Sequence, residues 1–322
     1  MDLGQAWIGW CVAGATAVGC GDNVVPAPSR DTQTLVENVS FARWLTVTKD
    51  AVYWVTVGDD PHVGRVPKAG GEDVVVARGT GPLISDDTHL YFTDPDRADF
   101  AIVRLPIDGS SGAPSRIGNR MDPVAVDDTN VYGIIFDSPQ ILKADKRGDG
   151  SAALVAIADL PAKVTRCVQE GGSVVCVAGT GVYEVTLPDG AVRAIAENLA
   201  LAPASLAVDA THVYLPEPIA TRETTIVRIP RAGGEAVRVS VQRDADSLAV
   251  DDGYVYFSQY QSTTAPFDPG GIFRVAVTGG DIEEFSLNEL GATSLRFDAD
   301  HVYWCNDVHP QNGPGQIRRR LK

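Results

Sequence analysis

The side chains of this chain that are best suited to acid–base or metal chemistry are its histidines: His62, His89, His212, His301 and His309. Three of them occupy the same position of a recurring phrase and are interpreted as repeat residues. His62 and His309 stand outside that phrase, with Asp59, Asp60 and Asp307 close to them in sequence. Imidazole and carboxylate groups together can ligate a divalent metal ion or act as an acid–base pair. We therefore take His62 and His309 as the candidate metal site.

Other forms of catalysis have little support in the sequence. It contains no G-x-S-x-G, phosphate-binding loop or dinucleotide fingerprint, and no Cys-x-x-Cys or His/Cys spacing that indicates zinc. Repeated aspartates such as Asp127 and Asp209 could suggest calcium, but each belongs to a separate turn, and calcium needs several oxygens at one point. Asp is favoured in such turns because its side chain bonds the turn backbone. We predict no cofactor other than the candidate divalent metal ion.

The elements that must position these residues follow from a phrase that returns seven times. It reads roughly L-x-V-D-x-x-x-V-Y-[WFL], then I-x-R-x-P-x-x-G-G, and its anchor residues are Tyr53, Tyr91, Tyr132, Val175, Tyr214, Tyr256 and Tyr303. A fixed period of about 40 residues indicates a solenoid, propeller or array. Each repeat offers four short strands, and no window has a sustained helical period, which predicts the blades of an all-β propeller.

Both ends of the repeat region predict a closed ring. After Tyr303 there is room for a third strand, Gln316–Leu321, and then the sequence stops, so the last repeat lacks its fourth strand. Residues 33–39 are strand-like and have no first three strands before them. We predict that they complete the last blade of a seven-bladed propeller, because closure removes exposed sheet edges. A six-bladed ring is the alternative if the degenerate fourth repeat forms no blade.

With its V-Y-W and R-x-P-x-x-G-G phrases, the chain resembles bacterial β-propellers of the NHL/TolB-like kind, especially secreted and lipoprotein members. The resemblance covers residues 32–322, which we expect to form one domain. It implies architecture more than activity, since a repeat scaffold hosts many unrelated functions. Some propeller lyases and lactonases place acidic and His residues around the central channel, which is the precedent for an acid–base or metal role of His62 and His309.

The connections between second and third strands differ sharply from repeat to repeat and are rich in acidic residues. In a propeller these loops share one face with the connections between blades, and variable loops on a rigid scaffold are where binding usually occurs. We predict ligand contacts at Asp94, Asp137, Glu217, Tyr260 and Asp307, with Glu217 in a loop over residues 216–224. Such a face should favour cationic ligands, metals or basic protein segments.

The charge of the chain argues against a nucleic-acid partner. The formal net charge is −15, whereas phosphate binding needs clustered Lys and Arg. The only basic run is Arg318-Arg319-Arg320, whose members alternate faces on a strand. We interpret Arg318 as the recurring basic residue of third strands, equivalent to Arg65 and Arg228.

The first 31 residues predict export. Residues 1–19 are apolar, end in small residues and are too short and glycine-rich to span a bilayer, which is typical of a signal peptide. The small residues directly before Cys20 resemble a bacterial lipobox, which implies lipidation of Cys20 and peripheral membrane attachment. Ala17 stands where Leu is more usual and Asp2 where a basic residue is expected, so an ordinary cleaved signal is the alternative. Residues 20–31 are expected to form a flexible tether.

Two cysteines predict a disulfide bond in the degenerate fourth repeat. Aligned on the other repeats, Cys167 and Cys176 replace Leu206 and Leu215, which face each other across a hairpin. Opposed residues of antiparallel strands lie within disulfide range, and an exported compartment favours the bond. Cys305 is left as a buried or half-buried thiol.

Two functions remain open from the sequence. The preferred one is a monomeric, non-catalytic binding or scaffold protein, exported to the bacterial cell envelope or the extracellular space. It would hold a protein, peptide or glycan on its acidic loop face. The alternative is a metal-dependent lyase or hydrolase at the mouth of the propeller channel, which requires carboxylates and imidazoles to converge there.

Overall fold

The computed structural model describes residues 32–322 except 40, 97–99, 108–111, 136, 200–204, 221–222, 243–244, 260–269 and 308–314, and only the backbone of 218–220, 223 and 241–242. Within these residues the chain forms seven four-stranded antiparallel sheets and no helix. The described chain therefore has no helix with the length and apolarity needed to cross a bilayer.

The sheets are the blades of a ring, and their strands are numbered along the chain. Blades 1 and 2 comprise β2 (Ala42–Val47), β3 (Ala51–Thr56), β4 (His62–Pro67) and β5 (Val74–Arg78), then β6 (Thr80–Ser85), β7 (His89–Thr93), β8 (Ala101–Pro106) and β9 (Ser115–Arg120). Blades 3 and 4 comprise β10 (Asp122–Val126), β11 (Asn130–Ile134), β12 (Gln140–Asp145) and β13 (Val155–Asp159), then β14 (Val164–Glu170), β15 (Ser173–Ala178), β16 (Gly181–Thr186) and β17 (Val192–Ala196). Blades 5 and 6 comprise β18 (Ala207–Val208), β19 (His212–Ala220), β20 (Glu223–Pro230) and β21 (Val237–Gln242), then β22 (Leu248–Asp251), β23 (Tyr254–Gln259), β24 (Gly271–Ala276) and β25 (Glu283–Leu287). Blade 7 comprises β26 (Ala292–Phe297), β27 (His301–Asn306), β28 (Gln316–Leu321) and, from the other end of the chain, β1 (Gln33–Glu37).

The first strand closes the ring as predicted. β1 pairs antiparallel with β28, with Thr34 opposite Arg318 and Glu37 opposite Gln316. Just beyond it, the main-chain N–H of Val39 donates to the carbonyl of Gly315 at 3.0 Å. The prediction of a seven-bladed all-β propeller is confirmed, and the six-bladed alternative is wrong because the fourth repeat forms a complete blade.

The anchor residues form the core between neighbouring blades. Tyr214 of blade 5, for example, is 1% exposed and packs in one cluster with Leu248 and Phe257 of blade 6. Large apolar side chains on strands bury the facing surfaces of two sheets at once. The apolar anchor therefore recurs in every repeat because each blade needs the next one to cover its apolar face.

The repeated aspartates support these anchors. In blade 5, Oδ1 of Asp209 accepts the main-chain N–H groups of Thr211 and His212, each at 2.7 Å, and Oδ2 accepts the hydroxyl of Tyr214 at 2.7 Å. Burial acts to raise the pKa of Asp209, but these hydrogen bonds outweigh it and lower that pKa. The same Asp–Tyr bond recurs in blades 2, 3 and 7. The interpretation of these residues as turn-stabilising is confirmed.

The predicted disulfide bond is confirmed. Cys167 and Cys176 lie opposite each other on β14 and β15, with their Cα atoms 4.1 Å apart, and their sulfur atoms are bonded. They join the first and second strands of the blade whose sequence departs most from the repeat. Cys305, the one free cysteine among the described residues, is buried, and burial raises the pKa of its thiol.

One register prediction is wrong by a single residue. The recurring basic residue of the third strand pairs with the anchor tyrosine, as Arg65 does with Tyr53. In blade 7 the partner of Tyr303 is Arg319, and Arg318 pairs with Trp304. Successive strand residues point to opposite faces, so Arg318 lies on the face opposite to that of the recurring basic residues. At the position equivalent to Arg318, the third strands of the other six blades have no Lys or Arg.

Candidate functional site

The antiparallel order of strands within each blade sorts the loops onto two faces. Connections from second to third strands and connections between blades emerge on the same side, which we call the loop face. Two concavities lie among the described residues near this face. One is a groove at the junction of blades 7 and 1, and the other is the central channel.

The acidic residues predicted as ligand contacts lie in four different blades, and several are already neutralised. Asp137 forms an ion pair with Lys163 at 2.5 Å, and Asp307 forms one with Arg43 at 2.7 Å. Asp94 follows β7, where its Oδ1 accepts the main-chain N–H of the residue two positions on at 3.0 Å. The loop face is therefore less acidic than a count of its carboxylates suggests.

Glu217 lies on a strand and not in a loop. β19 extends to Ala220 and β20 begins at Glu223, so Glu217 is half-buried and opposite Thr225 in a long hairpin. The sequence interval 216–224 looked like a loop because it contains two prolines and several polar residues. The predicted contact Tyr260 lies outside the described residues.

The sequence predicts a metal site at His62 and His309, and the described residues provide no further metal ligands for it. Nδ1 of His62 lies 2.9 Å from the carbonyl oxygen of Asp60 and 3.1 Å from Oγ1 of Thr56. Across the described ranges, no group of three or more His, Cys, Asp or Glu side chains is arranged to hold a metal ion. His309 lies outside those ranges, so the pairing of the two histidines stays a prediction.

The groove between blades 7 and 1, which we call the seam groove, has a volume of about 510 Å³. Its described lining is Glu37, Asn38, Val39, Phe41, Trp54, Thr56, Val57, Gly58, Asp59, Asp60, His62 and Asp73. It lies where the chain leaves the closing strand β1 and enters blade 1. Sequence reasoning placed only His62 and the two neighbouring aspartates at this side of the ring.

The seam groove is acidic and contains no fixed cation. No Lys or Arg belongs to its described lining. Asp60 is paired with Arg78 at 2.7 Å, and the same guanidinium also contacts Asp96 at 2.9 Å. Glu37, Asp59 and Asp73 are exposed and form no ion pair with any described residue. Unpaired carboxylates around a concave surface attract cations by their field.

A buried donor at the groove also lacks a partner. Trp54 is 2% exposed, and its Nε1–H has no acceptor among the described residues. Its ring lies over Gly64, where a Cβ atom would come within 2.3 Å of the indole. A buried N–H without an acceptor costs about 1–3 kcal/mol. This one is enclosed by protein, so a ligand oxygen would meet it only if neighbouring side chains moved. The local signal in the sequence is the glycine of β4, which leaves room for the indole.

The central channel is lined by the first strands of the blades and has a volume of about 960 Å³. Its charged lining residues are Arg43, Asp122, Arg166, Asp246, Arg296 and Asp307. Burial raises the pKa of Asp122, with the charge of Arg120 acting against this. Sequence reasoning missed all of these except Asp307, because first strands read as apolar and because β2, β10, β14 and β26 each contain a register shift.

Known proteins resemble this chain in fold and not in sequence. No protein-family model and no curated protein matches it. Oligogalacturonate lyase from Vibrio parahaemolyticus superposes with a TM-score of 0.65 and 10% identity, over 90% of this chain and 93% of that chain. The WD40 domain of Neurospora crassa Pan2 gives 0.65 and 8% over 92% and 97% of the two chains, and the computationally designed Ika8 protein gives 0.59 and 14% over 90% and 98%.

These similarities establish the propeller fold alone. A natural lyase, a WD40 domain and a designed protein share the architecture with this chain at identities of 8–14%. A fold of this kind hosts unrelated activities, so function has to be argued from the residues of the site.

Proposed function

We propose that this chain is a non-catalytic binding protein that holds a basic segment of a protein or peptide in the seam groove. The observation that supports the proposal is the combination of three unpaired carboxylates, Glu37, Asp59 and Asp73, with the unsatisfied indole N–H of Trp54. The carboxylates suit a Lys or Arg side chain, and a main-chain carbonyl of the same segment suits the indole. Phe41 adds an aromatic surface against which a guanidinium or aliphatic stem can pack.

The geometry of the groove supports binding better than catalysis. Among the described lining residues the one imidazole is His62, whose Nδ1 lies within hydrogen-bond distance of the carbonyl of Asp60 and the hydroxyl of Thr56. That hydroxyl also lies 3.4 Å from the carbonyl oxygens of Asp60 and His62, which is consistent with a structural role in the turn. The predicted alternative, a metal-dependent lyase or hydrolase at the channel mouth, has no specific support among the described residues. Binding is therefore the function that this geometry favours.

The test uses tri-arginine as the probe and tri-glutamate as its charge-reversed control, each titrated by calorimetry. The paired substitution E37Q/D59N should weaken tri-arginine binding at least tenfold, and raised salt should weaken it as well. E284Q is the control because Glu284 is exposed on β25, away from the groove. It removes one charge and is therefore also compared with the single variants E37Q and D59N, each of which should weaken binding more. Equal affinity for the two peptides, or an equal loss in E284Q, would contradict the proposal.

The site of action is proposed to be the bacterial cell envelope. Residues 1–31, which carry the predicted signal peptide and Cys20, lie outside the described residues. The disulfide bond between Cys167 and Cys176 supports an oxidising, exported location. The protein should fractionate with membranes, and C20A should move it to the soluble fraction. An unchanged distribution in C20A would remove the lipid anchor from the proposal.

A further inference from the structure

Two arginines of the central channel form no ion pair within the described part of the chain. Arg166 of β14 in blade 4 and Arg296 of β26 in blade 7 both line the channel. Neither guanidinium forms an ion pair with any described residue. Among the described residues, Arg296 donates to the carbonyl of Leu295, at 2.8 Å. Other arginines, including Arg43, Arg231 and Arg318, are each bound to a carboxylate.

The surroundings of these arginines make the missing charge significant. Both side chains are exposed, and the solvent they meet is that of the channel. Desolvation by the surrounding blades lowers the pKa of both guanidinium groups. Their two like charges face the same channel, and an anion that contacts both would offset the repulsion between them.

The carboxylates of the channel do not fill this role. Asp307 is bound to Arg43, and in the described part of the chain neither Asp122 nor Asp246 forms an ion pair with Arg166 or Arg296. The channel volume of about 960 Å³ is ample for a small molecule. Guanidinium groups bind carboxylate and phosphate oxygens in a planar, paired geometry.

We propose that the central channel binds a small anion, a carboxylate or a phosphate compound, between Arg166 and Arg296. The site is separate from the seam groove and does not depend on what that groove binds. Trp44 and Phe297 also line the channel and would pack against the non-ionic part of such a ligand.

The experiment measures binding of inorganic phosphate and of citrate, at constant ionic strength and with chloride as the reference. At least one of the two anions should bind and raise the melting temperature of the unmodified protein. R166Q/R296Q should weaken that binding at least tenfold. R238Q should not weaken it, because Arg238 is exposed on the outer strand of blade 5. Since R238Q removes one charge, it is also compared with the single variants R166Q and R296Q, each of which should weaken binding more.

Several outcomes separate the alternatives. Binding of phosphate alone or of citrate alone assigns the chemical class. Without added anion, R166Q/R296Q should melt no lower than the unmodified protein, since it relieves like-charge repulsion, whereas a purely structural role would lower the melting temperature. If the double variant does not fold, R296K replaces it and should weaken binding while keeping the charge. No effect of either anion beyond chloride, or equal losses in R238Q, would overturn the proposal.

Discussion

Blades 1 and 7 are neighbours in the ring and share the Val-Tyr-Trp phrase, but their tryptophans have different hydrogen-bonding partners. In blade 7 the indole of Trp304 donates to Oε2 of Glu289 at 3.0 Å. In blade 1 the indole of Trp54 has no acceptor among the described residues. Both side chains are almost completely buried, so exposure does not explain the difference.

Glu289 is the centre of a polar cluster that blade 1 lacks. Its carboxylate, with a side chain that is 1% exposed, is paired with Arg318 at 2.8 Å. It also accepts the side-chain N–H of Asn306 at 2.9 Å and the hydroxyl of Ser286 at 2.7 Å. With Trp304, these groups share one buried carboxylate, although Oδ1 of Asn306 and Nε of Arg318 have no partner among the described residues.

The strand register shows which residues of blade 1 occupy the positions of Glu289 and Arg318. Trp304 pairs with Arg318, and the equivalent partner of Trp54 is Gly64. The position of Glu289, three residues before the first strand of its blade, is occupied by Val39 in blade 1. Two replacements thus remove an acid and its base together. The indole of Trp54 packs over Gly64, and Val39 lines the seam groove.

The comparison teaches how a repeat protein can create a site. The buried ion pair of blade 7 and the open groove of blade 1 are two solutions at the same place of the same motif. In blade 7 the indole N–H already has an acceptor in the protein. Blade 1 lacks both charged residues, and its indole N–H has no acceptor among the described residues and belongs to a side chain that lines a groove.

The largest expected effect comes from breaking the cluster in blade 7. E289V would leave the guanidinium of Arg318 without its counter-charge and the donors of Trp304 and Asn306 without an acceptor. Removing one member of a buried ion pair typically costs about 3–5 kcal/mol. Chemical denaturation should show this loss in E289V, while the exposed control E284V stays close to the unmodified protein. An E289V as stable as its control would show that the cluster adds nothing to stability.

The second prediction concerns the turn between the first and second strands in blades 7 and 1, and how much one side chain of each turn contributes to stability at different pH values. Burial acts to raise the pKa of Asp298, but hydrogen bonds from Lys68, Tyr303 and the main chain hold it below its usual value. A depressed carboxyl pKa contributes stability that is present above the unfolded pKa, about 3.9, and is lost as the pH falls below it. D298N should therefore cost about 1.5–3 kcal/mol at neutral pH and progressively less in acid.

Thr48 provides the matched control in blade 1, because it occupies the position of Asp298 and bonds the main chain of Ala51 through an uncharged hydroxyl. Melting curves of T48A should show a small loss that is the same at every pH. A pH-independent loss in D298N would contradict the assigned pKa shift.

The third prediction introduces the acid and the base of blade 7 at the equivalent positions of blade 1. V39E alone buries a carboxylate without a base, and G64R alone drives a side chain into the indole of Trp54. Together they supply both charges, so the double variant should be more stable than the sum of the single changes predicts, by about 1–2 kcal/mol. The measurement is a double-mutant cycle by denaturation. The double variant should also lose tri-arginine binding. Strict additivity would mean that the two blades are not equivalent here.

The smallest expected effect compares the two indoles directly. W304F removes a donor that has an acceptor, whereas W54F removes one that has none among the described residues. Beyond the similar loss of ring volume, W304F should be the more destabilising by about 1 kcal/mol. Parallel denaturation of the two variants tests this. Equal losses would show that the indole of Trp54 is satisfied in solution.

The fold could be predicted from the sequence because its signals are repeated. Seven anchor residues, the missing fourth strand of the last repeat and the unassigned strand at residues 33–39 each indicated the same closed ring. The pairing of Cys167 with Cys176 followed from the same alignment, since a hairpin fixes which residues face each other.

The sites could not be predicted because they depend on departures from the repeat. The unsatisfied indole N–H of Trp54 follows from Val39 and Gly64, and neither residue indicates a site by itself. The charge of the loop face was overestimated because ion pairs such as Asp137–Lys163 join residues that are distant in sequence. The channel arginines Arg166 and Arg296 went unrecognised because register shifts decide which side of a first strand faces inward.

The closing strand also determines how the ring bears tension. Any pull transmitted through residues 1–31 reaches β1 first, and β1 is held by its pairing with β28 and by the packing of Val36 in the core between blades 7 and 1. Peeling β1 away would open the wheel and at the same time dismantle the wall of the seam groove that Glu37 and Val39 provide. A ligand bound in the groove should therefore oppose the detachment of β1. Single-molecule pulling through the N-terminal residues should then need a higher rupture force when tri-arginine is bound.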